Sequence, residues 1–158
     1  GDVYKRQDLE TFLFESGRPL LLVPHAMTKP EPIRQVLIAW NGSREAARAT
    51  FDALPFLKEA ERVEILVVDP PDRSGQHQLP AGAEIAASLA RHGVNAVVTN
   101  EESAGGSAAS VIASRLSGNG VDLLVMGGYG HSRWWEMIFG GVTRNILDTM
   151  TALTLLSR

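Results

Sequence analysis

Residues 121–145 read VDLLVMGGYGHSRWWEMIFGGVTRN, an apolar run that opens into two groups of glycine: Gly127, Gly128 and Gly130, then Gly140 and Gly141. A short apolar run bounded by turn residues reads as a buried strand, here over 122–127. Glycine costs conformational entropy unless the backbone needs its freedom or its missing side chain. Five of them at one strand end therefore mark a place where something passes close to the backbone. The helical pattern VTRNILDTM (142–150) and the apolar run ALTLLS (152–157) follow the loop, so the stretch reads as strand, loop, helix, strand.

The same order recurs upstream. IRQVLIAW (33–40) is a strand that ends in NGS, and Ser43 is an N-cap for REAARATFDALPFLKEA. In that helix Ala47, Phe51, Leu54 and Leu57 recur at helical spacing, with Pro55 expected to kink it near its end. RVEILVVD (62–69) is the next strand, and PPDRSGQHQLPAG (70–82) is a loop. AEIAASLARHG is a helix with Ile85 and Leu89 inward and a stop at Gly93. VNAVVTNEE is a third strand, followed by the helix SAASVIASRLSGNG with Val111, Ile112 and Leu116 inward. Strands alternating with helices imply an α/β fold, a doubly wound, five-stranded, mainly parallel sheet over 33–158. Such sheets bind ligands outside the carboxyl ends of their strands, where the strand order reverses. The NGS and GGYG loops are the candidates for that place.

Composition narrows the function. The chain has 158 residues, 44% hydrophobic and 21% charged, enough for one packed domain and a remnant. A net charge of -3 with no basic stripe argues against nucleic acid as a partner. No apolar run reaches the roughly 18 residues of a membrane span. There is no cysteine, which excludes disulfides and thiolate chemistry and suits a cytoplasmic protein. His25, His77 and His92 are too scattered for a metal cluster. Ser43 has no histidine and carboxylate arranged to activate it, so capping accounts for it. Asp69, at a strand end, is expected to bond loop amides.

The front of the chain is a separate matter. Residues 1–7 (GDVYKRQ) join no periodic pattern. FLFESGRPLLLVP (12–24) set against NILDTMTALTLLS (145–157) gives the same sequence of helix end, turn and strand. Residues 8–25 are therefore expected to be the tail of an upstream copy of the domain, with 26–32 as a linker. Unpaired apolar strand edges are liabilities. Pro19 to Val23 are expected to pair with Leu153 to Ser157, within one chain or in a homodimer.

The glycine loop matches neither common phosphate motif. A Walker loop needs a lysine this loop lacks, and the dinucleotide fingerprint needs a third glycine where Arg133 stands. Gly127, two residues, Gly130, nine residues and Gly140 instead resemble the G-x2-G-x9-G loop of the universal stress protein (UspA) family. VLIAWNGSREA, VEILVVD, DLLVMGGYGHS and GGVTRNIL carry that resemblance in order across 31–158. It resembles the second domain of a tandem bacterial member. The resemblance implies a UspA-type fold and a role in stress response, with ATP or a related adenine nucleotide as ligand. Gly127, Gly130, Gly140 and Gly141 would meet phosphates, with Val142 and Thr143 at the start of the following helix, whose N-terminus attracts anions. Val67 and Val68 would meet adenine, Trp40 and Asn41 the nucleoside, and Met126 would lie at the base of the loop. His131 is either a phosphate contact or a solvent-facing residue. Arg133 and Arg144 are candidates for neutralising phosphate, or are merely solvated. Trp134 and Trp135 cannot both point inward.

Two positions depart from the family pattern: Asn41 stands where it has Asp, and Gly141 where it has Ser or Thr. Each lost hydrogen bond to a charged group is worth about 1.5–3 kcal/mol, roughly tenfold to a hundredfold in affinity. The alternative is therefore an interaction module of the same fold that has lost nucleotide and acts through pairing. A loop with no acid, base or lysine placed for catalysis suggests binding with at most slow hydrolysis.

Overall fold

The computed structural model describes residues 15–24, 27–72, 79–118, 120–128 and 152–158. The segment 1–7, the helix expected over 142–150 and most of the glycine loop lie outside them. Six strands form one sheet in the order β1-β6-β5-β2-β3-β4. They are β1 (Leu20–Leu22), β2 (Gln35–Ala39), β3 (Arg62–Val68), β4 (Ala96–Glu101), β5 (Leu123–Gly127) and β6 (Leu153–Ser157). The last five are parallel to one another, as the alternation with helices implies. The sheet has one strand more than the five expected of residues 33–158, because β1 adds to its edge. β1 runs antiparallel to β6, with Leu20 opposite Leu156, Leu21 opposite Leu155 and Leu22 opposite Thr154.

Side chains alternate across the sheet, and both faces are covered, so the strands read as unbroken apolar runs. Val36, Ile38, Val63, Ile65, Val67, Leu123, Val125 and Leu155 build the first-face core. Leu37, Ala39, Leu66, Leu124, Met126 and Leu156 build the second. Helices α1 (Arg44–Asp52), α2 (Leu54–Glu59) and α3 (Ala83–Arg91) pack residues into the first core, and α4 (Ala108–Gly118) into the second. The chain moves one way from β2 through β3 to β4, then returns past β2 to β5. With crossovers of a single hand, that return puts the crossover helix on the opposite face. It also leaves a crevice between β2 and β5.

Two details of the first helix differ from the sequence reading. Pro55 does not kink one long helix; the chain breaks at Ala53 and restarts as α2 with Pro55 in its first turn. Proline has no N–H for the carbonyl of Phe51, and its ring fits the start of a helix better than the interior. The inward face of α1 is Ala46, Ala49 and Thr50, continued by Ala53, rather than Ala47 and Phe51. Phe51 stays 39% exposed and meets His92 edge-on, with ring centroids 5.5 Å apart. Small residues face the sheet because the first turn of α1 lies very close to it.

Other sequence signals have direct counterparts. Ser43 Oγ accepts the Ala46 N–H at 3.1 Å, the N-cap bond. Gly93 has φ +80° and closes α3 with a Schellman pair: Val94 N–H to Leu89 O and Gly93 N–H to Ala90 O, both 3.0 Å. Ile85 and Leu89 are buried, as are Val111 and Ile112, while Leu116 is partly buried. At the far end of the crevice, Asp122 Oδ2 accepts the N–H groups of Arg34 and Gln35, each at 2.9 Å. That carboxylate ties β2 to β5 at their starts and so helps hold the register of the two strands that flank the crevice.

Candidate functional site

β2 and β5 are neighbours whose connections leave in opposite directions, to β3 and to β6. Their carboxyl ends are the topological switch point, where open α/β sheets take ligands. Trp40, Asn41 and Ser43 follow β2, and Gly127 and Gly128 end β5 beside them.

What passes close to Gly127 is the protein's own backbone. A Cβ built there would lie 2.7 Å from Ala46 N, 2.8 Å from the Glu45 carbonyl carbon and 2.8 Å from Glu45 Cβ. The first turn of α1 therefore rests directly on the end of β5. The glycine that the sequence reading places at a phosphate has at least this packing role. Gly128 continues the ladder, its N–H donating to Ser157 O at 2.7 Å.

Asn41 is exposed, and its Oδ1 accepts the Ser43 N–H at 3.0 Å. A backbone N–H needs an acceptor, so the oxygen end of the amide is fixed to the turn and Nδ2 is left as a donor. Ser43 in turn holds Ala46, which keeps its hydroxyl in a capping role. Trp40 is partly buried against the first-face core, with its N–H on Leu66 O at 2.9 Å. Val67 is 5% exposed, beneath the loop at Gly82, where an added Cβ would come within 3.2 Å of Val67 Cγ2. Val68 is partly buried on the other face, and Met126 is 3% exposed in the second core. The structure thus brings Trp40, Asn41, Met126 and Gly127 to adjacent strand ends, with Val67 and Val68 one strand further on. Gly130, His131, Gly140, Gly141, Val142 and Thr143 lie outside the described residues, as do Arg133, Trp134, Trp135 and Arg144.

Beyond β3 the same end of the sheet carries a polar turn. Asp69 has φ 49°, uncommon for a residue with a side chain, and its Oδ1 accepts the Ser103 N–H at 2.8 Å. Its own N–H reaches Glu101 O at 2.8 Å, so Asp69 ties the end of β3 to the end of β4. Its position at a strand end implies an amide partner without identifying it, because the 34-residue separation has no local signature. Ser107 and Ser110, absent from the candidates above, cap α4 reciprocally through 3.1 Å bonds. The spacing S-x-x-S just before an apolar helix was the available signal. Among the described residues no group of three His, Cys, Asp or Glu is placed to hold a metal.

The backbone hydrogen bond from Ser103, with Ser103 and Glu102 side chains adding to it, holds the Asp69 carboxyl below its ordinary range against a weaker opposing desolvation. A depressed folded-state pKa contributes stability above the unfolded pKa and loses it as pH falls through the folded one. Asp69→Asn, which tolerates the same backbone, is expected to be less stable than the parent at neutral pH. The gap should narrow on acidification below the usual carboxylate range. Urea melts of both proteins from pH 7 to pH 3 check this, and a constant gap would remove the charge from the explanation.

A family model described as the universal stress protein family matches residues 32–156. Universal stress protein UspA from Lactobacillus plantarum has a similar structure: TM-score 0.53, 17% identity, covering 82% of this chain and 100% of that one. A universal stress protein from Archaeoglobus fulgidus gives a TM-score of 0.66 at 19% identity, over 95% of this chain but 54% of its own. A universal stress protein family member from Burkholderia pseudomallei gives 0.52 at 20% identity, covering 81% and 98%. No curated protein matches the chain. At these identities the structures speak for a shared α/β fold, while the family match runs from just before β2 into β6. The chain belongs to the universal stress protein family.

Proposed function

We propose that the domain binds ATP or a related adenine nucleotide at the β2/β5 crevice, and that binding orders the glycine-rich segment in a cytoplasmic stress-response protein. The observation that carries this reading is the meeting of Trp40–Ser43 and Met126–Gly128 at the switch point. The G-x2-G-x9-G spacing that starts there supplies glycines where a phosphate chain needs close backbone approach. Gly130, Gly140, Gly141, Val142 and Thr143 would line the phosphates and Val67 or Val68 the adenine. The proposed activity is binding, with at most slow hydrolysis. Segment 15–24 fits the end of an upstream repeat: β1 occupies the β6 edge, and this chain spans about half of the Archaeoglobus fulgidus chain, 54%. Pairing through that edge, within a chain or between copies, would be the output.

One observation favours a second reading, a pairing module without nucleotide. The carbonyl oxygen of Asn41 already accepts the Ser43 N–H, so a ligand finds there one remaining lone pair on a shared oxygen and the amide donors. A carboxylate at 41 would keep a second acceptor oxygen free for a ribose hydroxyl. The deciding experiment is native purification, denaturation and mass spectrometry of any released nucleotide, followed by titration of labelled ATP. Parent, Asn41→Asp and Gly141→Ser are compared. Each substitution is expected to tighten binding by roughly tenfold to a hundredfold. Binding in none of the three, with no copurified nucleotide, would leave the pairing module as the function.

A further inference from the structure

We infer that Arg48, Asp52 and Ser157 link the seating of segment 15–24 to the first residue of the glycine-rich loop. Gly17, at φ +63°, turns its carbonyl to Arg48, whose Nη2 donates to it at 2.9 Å. Arg48 Nε lies 3.9 Å from Asp52 Oδ2, one turn along α1. That same oxygen accepts the Ser157 hydroxyl at 2.6 Å. Ser157, 1% exposed, then accepts the Gly128 N–H on its carbonyl at 2.7 Å. One buried residue is thus held on one side by an anion on α1 and on the other holds the amide where the loop begins.

The links differ in strength, and that difference sets the behaviour. The Ser157–Asp52 bond is charge-assisted and short, of the stronger kind. The Arg48–Asp52 contact is long, between side chains 54% and 30% exposed, and is the link that solvent weakens. When segment 15–24 leaves the β6 edge, Arg48 loses its carbonyl partner and its hold on Asp52 loosens, while Ser157 stays bound. The first loop residue then carries a graded report of whether the neighbouring segment is docked. This link does not depend on what the loop binds, so it is tested on the full chain without nucleotide.

The test is amide exchange by NMR on the parent, Leu22→Asp, Asp52→Ala and the double variant. Leu22 packs partly buried against the second core, so an aspartate there undocks β1, which the amides of 20–22 report in the same spectra. Leu22→Asp is expected to speed exchange at Gly128 about two- to fivefold, the worth of one exposed ion pair. Asp52→Ala should speed it about tenfold, the worth of a hydrogen bond to a charged group. The double variant should match Asp52→Ala alone, because the link is already cut. Arg48→Met, which leaves β1 intact, should reproduce the Leu22→Asp effect. Equal multiplication by Leu22→Asp in both backgrounds would overturn the inference, and so would equal acceleration of the central β5 amides.

Discussion

Arg115→Met is expected to destabilise the protein by about 3 kcal/mol, the lower end for removing one partner of a buried ion pair. Glu64 lies on the second face of β3, opposite Leu37 and Val97 in the flanking strands, with its side chain only 12% exposed. Arg115 reaches down from α4 and places Nη1 2.9 Å from Glu64 Oε1. The contact is electrostatic: that buried oxygen makes no bond of hydrogen-bond geometry among the described residues. Nε and Nη2 of the same guanidinium lie 3.1 Å from Glu101 Oε2, whose side chain is 40% exposed. Glu101 remains solvated without the arginine, whereas Glu64 does not, so the loss falls mainly on Glu64. The double variant Glu64→Leu, Arg115→Met removes both charges from an apolar layer and should return to within about 1 kcal/mol of the parent. Urea unfolding of the parent, both single variants and the double variant measures the coupling. A cost below about 1 kcal/mol for Arg115→Met would mean that water already reaches Glu64.

Gly127→Ala is expected to be as damaging, about 3 kcal/mol, at the upper end for overpacking a well-filled site. The added Cβ meets backbone, at 2.7 Å from Ala46 N and 2.8 Å from the Glu45 carbonyl carbon, and backbone cannot rotate away as a side chain would. The first turn of α1 must lift off β5, which loosens Ala46 and Ala49 from the core and disturbs the Ser43 cap. A melting temperature lower by about 2–4 °C for each kcal/mol would follow. Gly118→Ala is the matched control: it ends α4, an added Cβ there meets nothing within 4 Å, and no positive φ is involved. It should be neutral or stabilising by up to about 1 kcal/mol, since alanine favours helix. If both substitutions behave alike, the contact between Gly127 and α1 is not a constraint on the fold. Nucleotide titration of Gly127→Ala at a temperature where it stays folded would then separate packing from any phosphate role.

These two sites differ sharply in how far the sequence revealed them. The glycine cluster makes Gly127 conspicuous in the sequence, and it does close β5. What it accommodates was not visible, because Glu45 and Ala46 are about eighty residues away in the chain. The Glu64–Arg115 pair gave no signal at all. Glu64 interrupts the apolar run of β3, and nothing local marks Arg115, about fifty residues on, as its partner. The helical spacing of Ala47 and Phe51 likewise does not mark the buried face of α1. Helical spacing counts large apolar residues as core, but this helix sits too near the sheet for them, and alanines take the inner face. Asn41 was visible as a departure from the family pattern, yet only the turn showed that its oxygen is already committed to Ser43.

Local periodicity and backbone chemistry are legible along the chain before it folds. The apolar runs of β2 to β6, the Ser43 cap, the Gly93 stop and the alternation that makes the sheet parallel are all short-range patterns, and the family resemblance rests on their order. Tertiary structure alone decided what lies between distant segments: α1 pressed on Gly127, Asp69 on Ser103, Asp122 across the start of β2, Arg115 over Glu64 and Ser157 on Asp52. Periodicity records which face a residue presents, while close approach and polar partnership are fixed only when two faces meet.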